Sequence, residues 1–292
     1  MRGSGADFAR CCDCYQRFTV KKMTLISLTD HKKCCCSRTN GAPSVVYLPV
    51  APQMVARTRF SPPPPPRSHV LMLPEAMELL AGAMKERRAG ITMVAITGPG
   101  DPLATPDITL HAIRQVRERY PAVKIGLKTL GIGSGALAGE LARAGLNYVE
   151  MQVDGITPAI LEKIYAWIRP GLKTLKIADA VGLLIKEQRN GVPALKFHNV
   201  KVAILTTLYP GLNIDHVAKI SADMMELGAD GIGLIPYDPE PGAEVSLECP
   251  DPQAIAGATE KAATYLPIIE PRLIRRAGDT ESDAVPTTPP LP

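Results

Sequence analysis

The chain has 292 residues, 46% of them apolar and 4% aromatic, and a formal net charge of +4. That length fits two average domains or one α/β barrel, and the apolar share is enough for a large core. The charge is small and spread along the chain, and there is one Trp, so composition argues against a nucleic-acid binder, which needs a basic patch and stacking aromatics.

The longest apolar runs fall far short of the ~18–20 residues of a membrane-spanning helix. Phe8 to Leu28 is interrupted by cysteines and lysines and lacks the apolar core of a secretory leader. The expectation is a cytoplasmic chain that does not enter a membrane. Six of the seven cysteines fall within the first 36 residues. In a reducing compartment such clusters point to metal or Fe–S binding more than to disulfides. Cys11 and Cys14 form a C-x2-C pair, whereas Cys34, Cys35 and Cys36 are contiguous, and adjacent side chains rarely reach one metal together. A cysteine-bearing tail without metal is the alternative.

Residues 1–43 show no sustained period of 2 or 3.6 and read as an irregular segment. A short β-branched strand is expected over 45–50, followed by a basic stretch and the five prolines Pro62 to Pro66, an exposed polyproline II segment. From Pro74 the pattern becomes regular. Helices are expected over 75–88, 107–119, 136–144, 158–168, 172–189, 214–227 and 252–265, and strands over 93–97, 124–129, 148–153, 200–208 and 231–236. Six strands, each followed by helix, imply a parallel sheet with right-handed crossovers, either doubly wound or an incomplete β/α barrel. The residues after Leu273 are Pro-, Thr- and Asp-rich and read as a disordered tail, 274–292.

In such a sheet ligands bind at the C-terminal ends of the strands. The second strand ends in Gly98-Pro99-Gly100-Asp101-Pro102. Two glycines there let a ligand approach the main chain, two prolines stiffen the loop, and Asp101 adds a carboxylate. A tight βα turn without a ligand is the competing account. Glu150, Gln152 and Asp154 share one face of the fourth strand. Polar groups in a buried strand need partners, either internal ones or a ligand. The five histidines show no metal-ligand spacing, and GIGSG at 131–135 lacks the dinucleotide fingerprint.

VYLPVAP (46–52), AITGPGDPLATP (95–106), EKIYAWI (162–168), YPGLN (209–213) and LIPYDPEPG (234–242) together resemble, in order and spacing, the NifB-like branch of the radical SAM family. The resemblance covers about residues 44–285. It implies an incomplete parallel (β/α)6 barrel over 44–273, S-adenosylmethionine, a [4Fe–4S] cluster, and assembly of the iron–sulfur precursor of the nitrogenase cofactor. By position it places the methionine end of S-adenosylmethionine on Gly98, Pro99, Gly100, Asp101 and Pro102, the ribose near Thr129, and Glu150 and Gln152 facing the cofactor. The implied partners are an iron–sulfur cluster or a small-molecule substrate.

The pattern departs from the family where LPVAP should run into C-x3-C-x2-C. Those positions hold Met54, Thr58 and Ser61, and Fe–S clusters require thiolates. Lys128-Thr129-Leu130-Gly131 replaces an expected Ser-Thr-Asn-Gly, and Ala277 and Thr280 stand where C-terminal cysteines are expected. Cys34 lies at about the distance of an upstream family cysteine that ligates a substrate cluster, and Cys34, Cys35 and Cys36 are the candidate metal ligands of a substitute site, though their spacing does not demand one. A catalytically inactive relative acting as a binding or accessory protein is the alternative function.

Overall fold

The computed structural model describes residues 44–63, 70–86, 91–171 and 175–273. The segment 1–43 with Cys34, Cys35 and Cys36, the prolines Pro64 to Pro66 and the tail 274–292 lie outside the described residues.

Six parallel strands form one sheet: β1 (Ser44–Pro49), β3 (Ile91–Thr97), β4 (Lys124–Thr129), β5 (Tyr148–Gln152), β7 (Lys201–Leu208) and β8 (Gly231–Pro236), hydrogen-bonded in that order. β1 and β8 are the two edges, so the barrel is incomplete. Helices α1 (Leu73–Glu86), α2 (Pro106–Arg119), α3 (Ser134–Ala144), α5 (Ile177–Phe197), α6 (Val217–Glu226) and α7 (Pro252–Ala263) alternate with these strands.

The strands carry apolar residues on both faces, as expected of a parallel sheet covered on both sides. Val46, Leu48, Val94, Ile96, Ile125, Leu127, Val149, Met151, Val202 and Ile204 meet the helices in the main core. The other face is narrower and more polar. Its apolar part is small: Met93, Ala95 and Leu273 are buried there with Val45, Tyr47 and Tyr148 packed around them.

Leu273 reaches that inner face from the end of the described chain. After α7 the backbone runs beside β8, with Ile232 N–H donating to Pro267 O and Ile269 N–H to Ile232 O. A Cβ on Gly231 would lie 2.8 Å from Ile269, and one on Gly233 3.1 Å from Pro271. Tyr47 Oη on β1 then donates to Arg272 O at 3.2 Å. The segment thus links the two open edges of the sheet across its inner face.

Most boundaries agree with the periodicity, and two elements differ. The helix expected over 158–168 ends at Ile164 as α4 (Pro158–Ile164), and Tyr165–Ile168 is a strand, β6. It pairs antiparallel with β2 (Ala56–Thr58), inside what reads as a loop. The helix expected over 172–189 is α5, which starts at Ile177 and continues through Pro193 to Phe197. Proline inside a helix removes a hydrogen bond and is costly. Here close packing on α3 outweighs it: a Cβ on Gly191 would lie 1.9 Å from Ser134 Oγ.

Leu273→Ala should therefore lower unfolding stability by about 2–5 kcal/mol, the usual range for a buried Leu→Ala change. Chemical denaturation checks this, and a loss near zero would mean that the segment does not pack inside the barrel.

Candidate active site at the barrel mouth

The loop after β3 is pinned before any ligand is considered. Gly100 N–H donates to Ala51 O at 3.0 Å and Asp101 N–H to Gln53 O at 2.9 Å. A Cβ on Gly98 would lie 2.0 Å from Ala51 O, and one on Gly100 2.3 Å from the Gln53 backbone. Glycine at these two positions is thus accounted for by the segment after β1, whose backbone makes the close approach foreseen for a ligand. Neither glycine has positive φ.

Asp101 caps the 3-10 turn Pro102–Ala104, accepting from Leu103 N–H at 2.9 Å. Its carboxylate also accepts from Leu130 N–H at 2.7 Å and from Thr129 Oγ1, which lies 2.8 and 2.9 Å from its two oxygens. Thr129 is buried and in turn accepts from Gly131 N–H at 3.0 Å. Both side chains therefore join the loops after β3 and β4.

Glu150 is fully buried, 0% exposed. It accepts from the backbone N–H of Arg272 at 2.6 Å and of Leu273 at 3.0 Å, and from Tyr148 Oη at 3.1 Å. The partners that its burial demanded thus come from the inserted C-terminal segment. Gln152 donates to Asp154 at 2.7 Å and to Thr207 Oγ1 at 3.0 Å. Asp154 also accepts from Thr207 N–H at 2.9 Å and from Tyr165 Oη at 3.0 Å.

Several members of this network were not singled out by sequence reasoning as site residues. Gln188, from the middle of α5, donates to Leu130 O at 2.9 Å and to Gln152 O at 2.8 Å. Nothing distinguishes it from a surface helix Gln in the sequence. Asn213, the last residue of YPGLN, donates to Asp154 O and Thr207 O and accepts from Tyr209 N–H. Tyr165 belongs to EKIYAWI, so the motif carried a signal that its reading as a helix concealed.

Burial pushes the carboxyl pKa values of Asp101, Glu150 and Asp154 upward, against the pull of their hydrogen bonds and of Lys128. Lys128 sits opposite Glu150 in the β4–β5 register. Burial pushes its ammonium pKa down, while Asp154, Glu150 and Asp101 pull it up.

Over these strand ends lies a second apolar cluster. Val55, Phe60, Ile160, Leu161, Ile164, Tyr165, Ile168, Tyr209 and Tyr237 are buried in it, with Ala180, Val181 and Leu184 from the start of α5. A small cavity of about 160 Å³ remains at its edge, lined by Gln53, Val55, Leu103, Ala104, Ile132 and Gly133 among others.

The expected cluster positions do not fit a [4Fe–4S] group. Met54, Thr58 and Ser61 offer no thiolate, and Thr58 Oγ1 lies 2.8 Å from Ser61 Oγ in a hydrogen bond. Among the described residues the one cysteine is Cys249, which is exposed, and no three of His, Cys, Asp and Glu are grouped to hold a metal ion.

Sequence comparison finds curated relatives. "FeMo cofactor biosynthesis protein NifB" of Chlorobaculum tepidum is 30% identical over 232 residues, covering 76% of this chain and 54% of that protein. The Klebsiella pneumoniae protein of the same name is 27% identical and is covered over 44% of its length. That of Methanocaldococcus infernus is 26% identical over 249 residues, covering 82% of this chain and 80% of that protein. The sequence is NifB-like. The chain spans about half the length of the first two relatives, and no protein-family model matches it. Among solved structures, Streptococcus suis SuiB bound to S-adenosylmethionine superposes with a TM-score of 0.57 at 14% identity, covering 78% of this chain and 50% of that one. Methylornithine synthase (PylB) gives 0.54 at 12% identity, covering 77% and 63%. The NifB-like chain therefore shares the fold of these proteins, an α/β barrel of six parallel strands left open. No helix among its described residues is long and apolar enough to cross a membrane.

The raised carboxyl pKa values carry a sign. A folded-state pKa above the unfolded value means that the folded form binds the proton more tightly. Stability should then rise as pH falls from neutral toward the ordinary carboxylate range near ~4, and fall again as pH rises through the folded values. Denaturation midpoints measured across that range should show the gain in the native chain and a smaller one in Asp154→Asn. Stability that instead climbs steadily toward neutral pH would contradict the direction assigned to these groups.

Proposed function

We propose that this NifB-like chain takes part in S-adenosylmethionine-dependent assembly of an iron–sulfur cofactor of the FeMo type, in the cytoplasm. The observation that carries this reading is the NifB similarity over 82% of the chain. S-adenosylmethionine is the ligand named with one of the superposed structures.

In this reading S-adenosylmethionine lies at the mouth against Gly98 to Pro102 and the Thr129 region, with Gln152 and Glu150 in the wall beneath. Asp101, Thr129 and Glu150 act on it by holding the loops, since their side-chain oxygens already have partners. Gln53 and Gly133 edge the cavity at the mouth. That cavity is smaller than the ~300 Å³ where ligand pockets of drug size begin, so the mouth widens on binding. A [4Fe–4S] cluster would have to draw its thiolates from the N-terminal cysteines, with Cys34, Cys35 and Cys36 as the candidate ligands. The substrate is an iron–sulfur cluster or a small molecule.

The test is anaerobic reconstitution of the full chain with iron and sulfide, followed by reductant and S-adenosylmethionine. The reading expects bound iron and sulfide in near-stoichiometric amount, lost on replacing Cys34, Cys35 and Cys36 by Ala, and consumption of S-adenosylmethionine by the loaded protein. A folded chain that retains no iron would sink it.

A further inference from the structure

The mismatch at Met54, Thr58 and Ser61 has a structural counterpart. The segment after β1 is built into a covering for the barrel mouth, and the two hydroxyls standing at thiolate positions are part of its fastening.

The backbone closes first. β2 pairs with β6, Arg169 N–H donates to Val55 O at 2.6 Å, and Arg59 N–H donates to Ile164 O at 2.8 Å. Val245 N–H donates to Arg59 O at 3.2 Å from the other side. The Arg57 guanidinium pairs with Glu244 and donates to Ser61 O. A ribbon of three and four residues is marginal alone, so it needs the packing beneath it. Phe60 supplies much of that packing. It is 4% exposed, with its ring centroid 5.0 Å from Tyr209 and 5.8 Å from Tyr237.

Side-chain hydrogen bonds add to this on both strands of the ribbon. Ser61 Oγ is bonded to Thr58 Oγ1. Tyr209 is buried beside the ribbon, its ring against Phe60. Thr207 Oγ1 accepts from Gln152, which also donates to Asp154. Asp154 accepts from Tyr165 Oη, and Tyr165 on β6 is the register partner of Thr58 on β2. The covering is thus bolted to the barrel wall where its second strand meets Asp154.

We infer that residues 54–61 are a latched lid over the barrel mouth, with Thr58 and Ser61 as part of its latch, and that they ligate no iron–sulfur cluster. The inference does not depend on the chain's working in cluster assembly. An iron-binding loop must leave its ligand atoms free to face the metal. Here the two oxygens are spent on each other, and Phe60, between them in the chain, is buried against Tyr209 and Tyr237.

Two measurements on the full chain test it. The first compares protein-bound iron and sulfide, after anaerobic reconstitution, between the native chain and Met54→Leu/Thr58→Val/Ser61→Ala. The second follows amide exchange at Arg59 and Arg169, in the native chain and in Tyr165→Phe, which removes the hydroxyl bonded to Asp154. A lid predicts equal iron in both chains, protected Arg59 and Arg169 amides in the native chain, and exchange about tenfold faster or more when the latch hydroxyl is removed. Loss of iron from the triple variant with its circular dichroism unchanged would overturn the inference, as would native Arg59 and Arg169 amides exchanging at open-chain rates. If the native chain takes up no iron, the lid stands and the cofactor-assembly reading fails.

Discussion

One carboxylate sets the geometry of the barrel mouth. Asp101 accepts hydrogen bonds from Leu103 N–H, Leu130 N–H and the Thr129 hydroxyl. It therefore fixes the turn into α2 and joins the end of β3 to the end of β4. Its own N–H donates to Gln53 O, which ties in the segment after β1. Three loops from three neighbouring strands meet at one residue. Burying a carboxylate is tolerable only with such a set of donors, so the chain itself ties this corner of the mouth together.

The architecture was readable because parallel strands and amphipathic helices declare themselves by period, and the six sheet strands fall close to where alternation and β-branching place them. The lid was not readable, for a physical reason. β2 is three residues long with Arg57 at its centre, and Tyr165–Ile168 continues an apolar pattern that suits the end of a helix. Only the apolar cluster around Phe60 makes a ribbon the better solution, and that cluster joins residues from across the chain.

The site was legible in part. Glycines at 98 and 100 signal a close approach, but sequence does not say to what, and here it is the backbone of Ala51 and Gln53. The buried Glu150 signals partners, yet they are backbone N–H groups more than a hundred residues later. Asp154 stood on the right face of its strand. Its place between the barrel wall and the lid depends on Tyr165 and Thr207, which tertiary packing alone brings together.

These features describe a NifB-like barrel whose framework is kept and whose mouth is closed by its own chain. Asp101 holds the GPGDP loop as a structural knot. The most direct measurement is the unfolding free energy of Asp101→Ala by chemical denaturation, alongside S-adenosylmethionine binding by calorimetry. The account predicts a loss of about 2 kcal/mol or more, because Leu103 and Leu130 N–H groups lose a buried acceptor. Unchanged stability with weakened binding would contradict it, and would make Asp101 a ligand-contacting residue whose bonds to the chain contribute nothing to the fold.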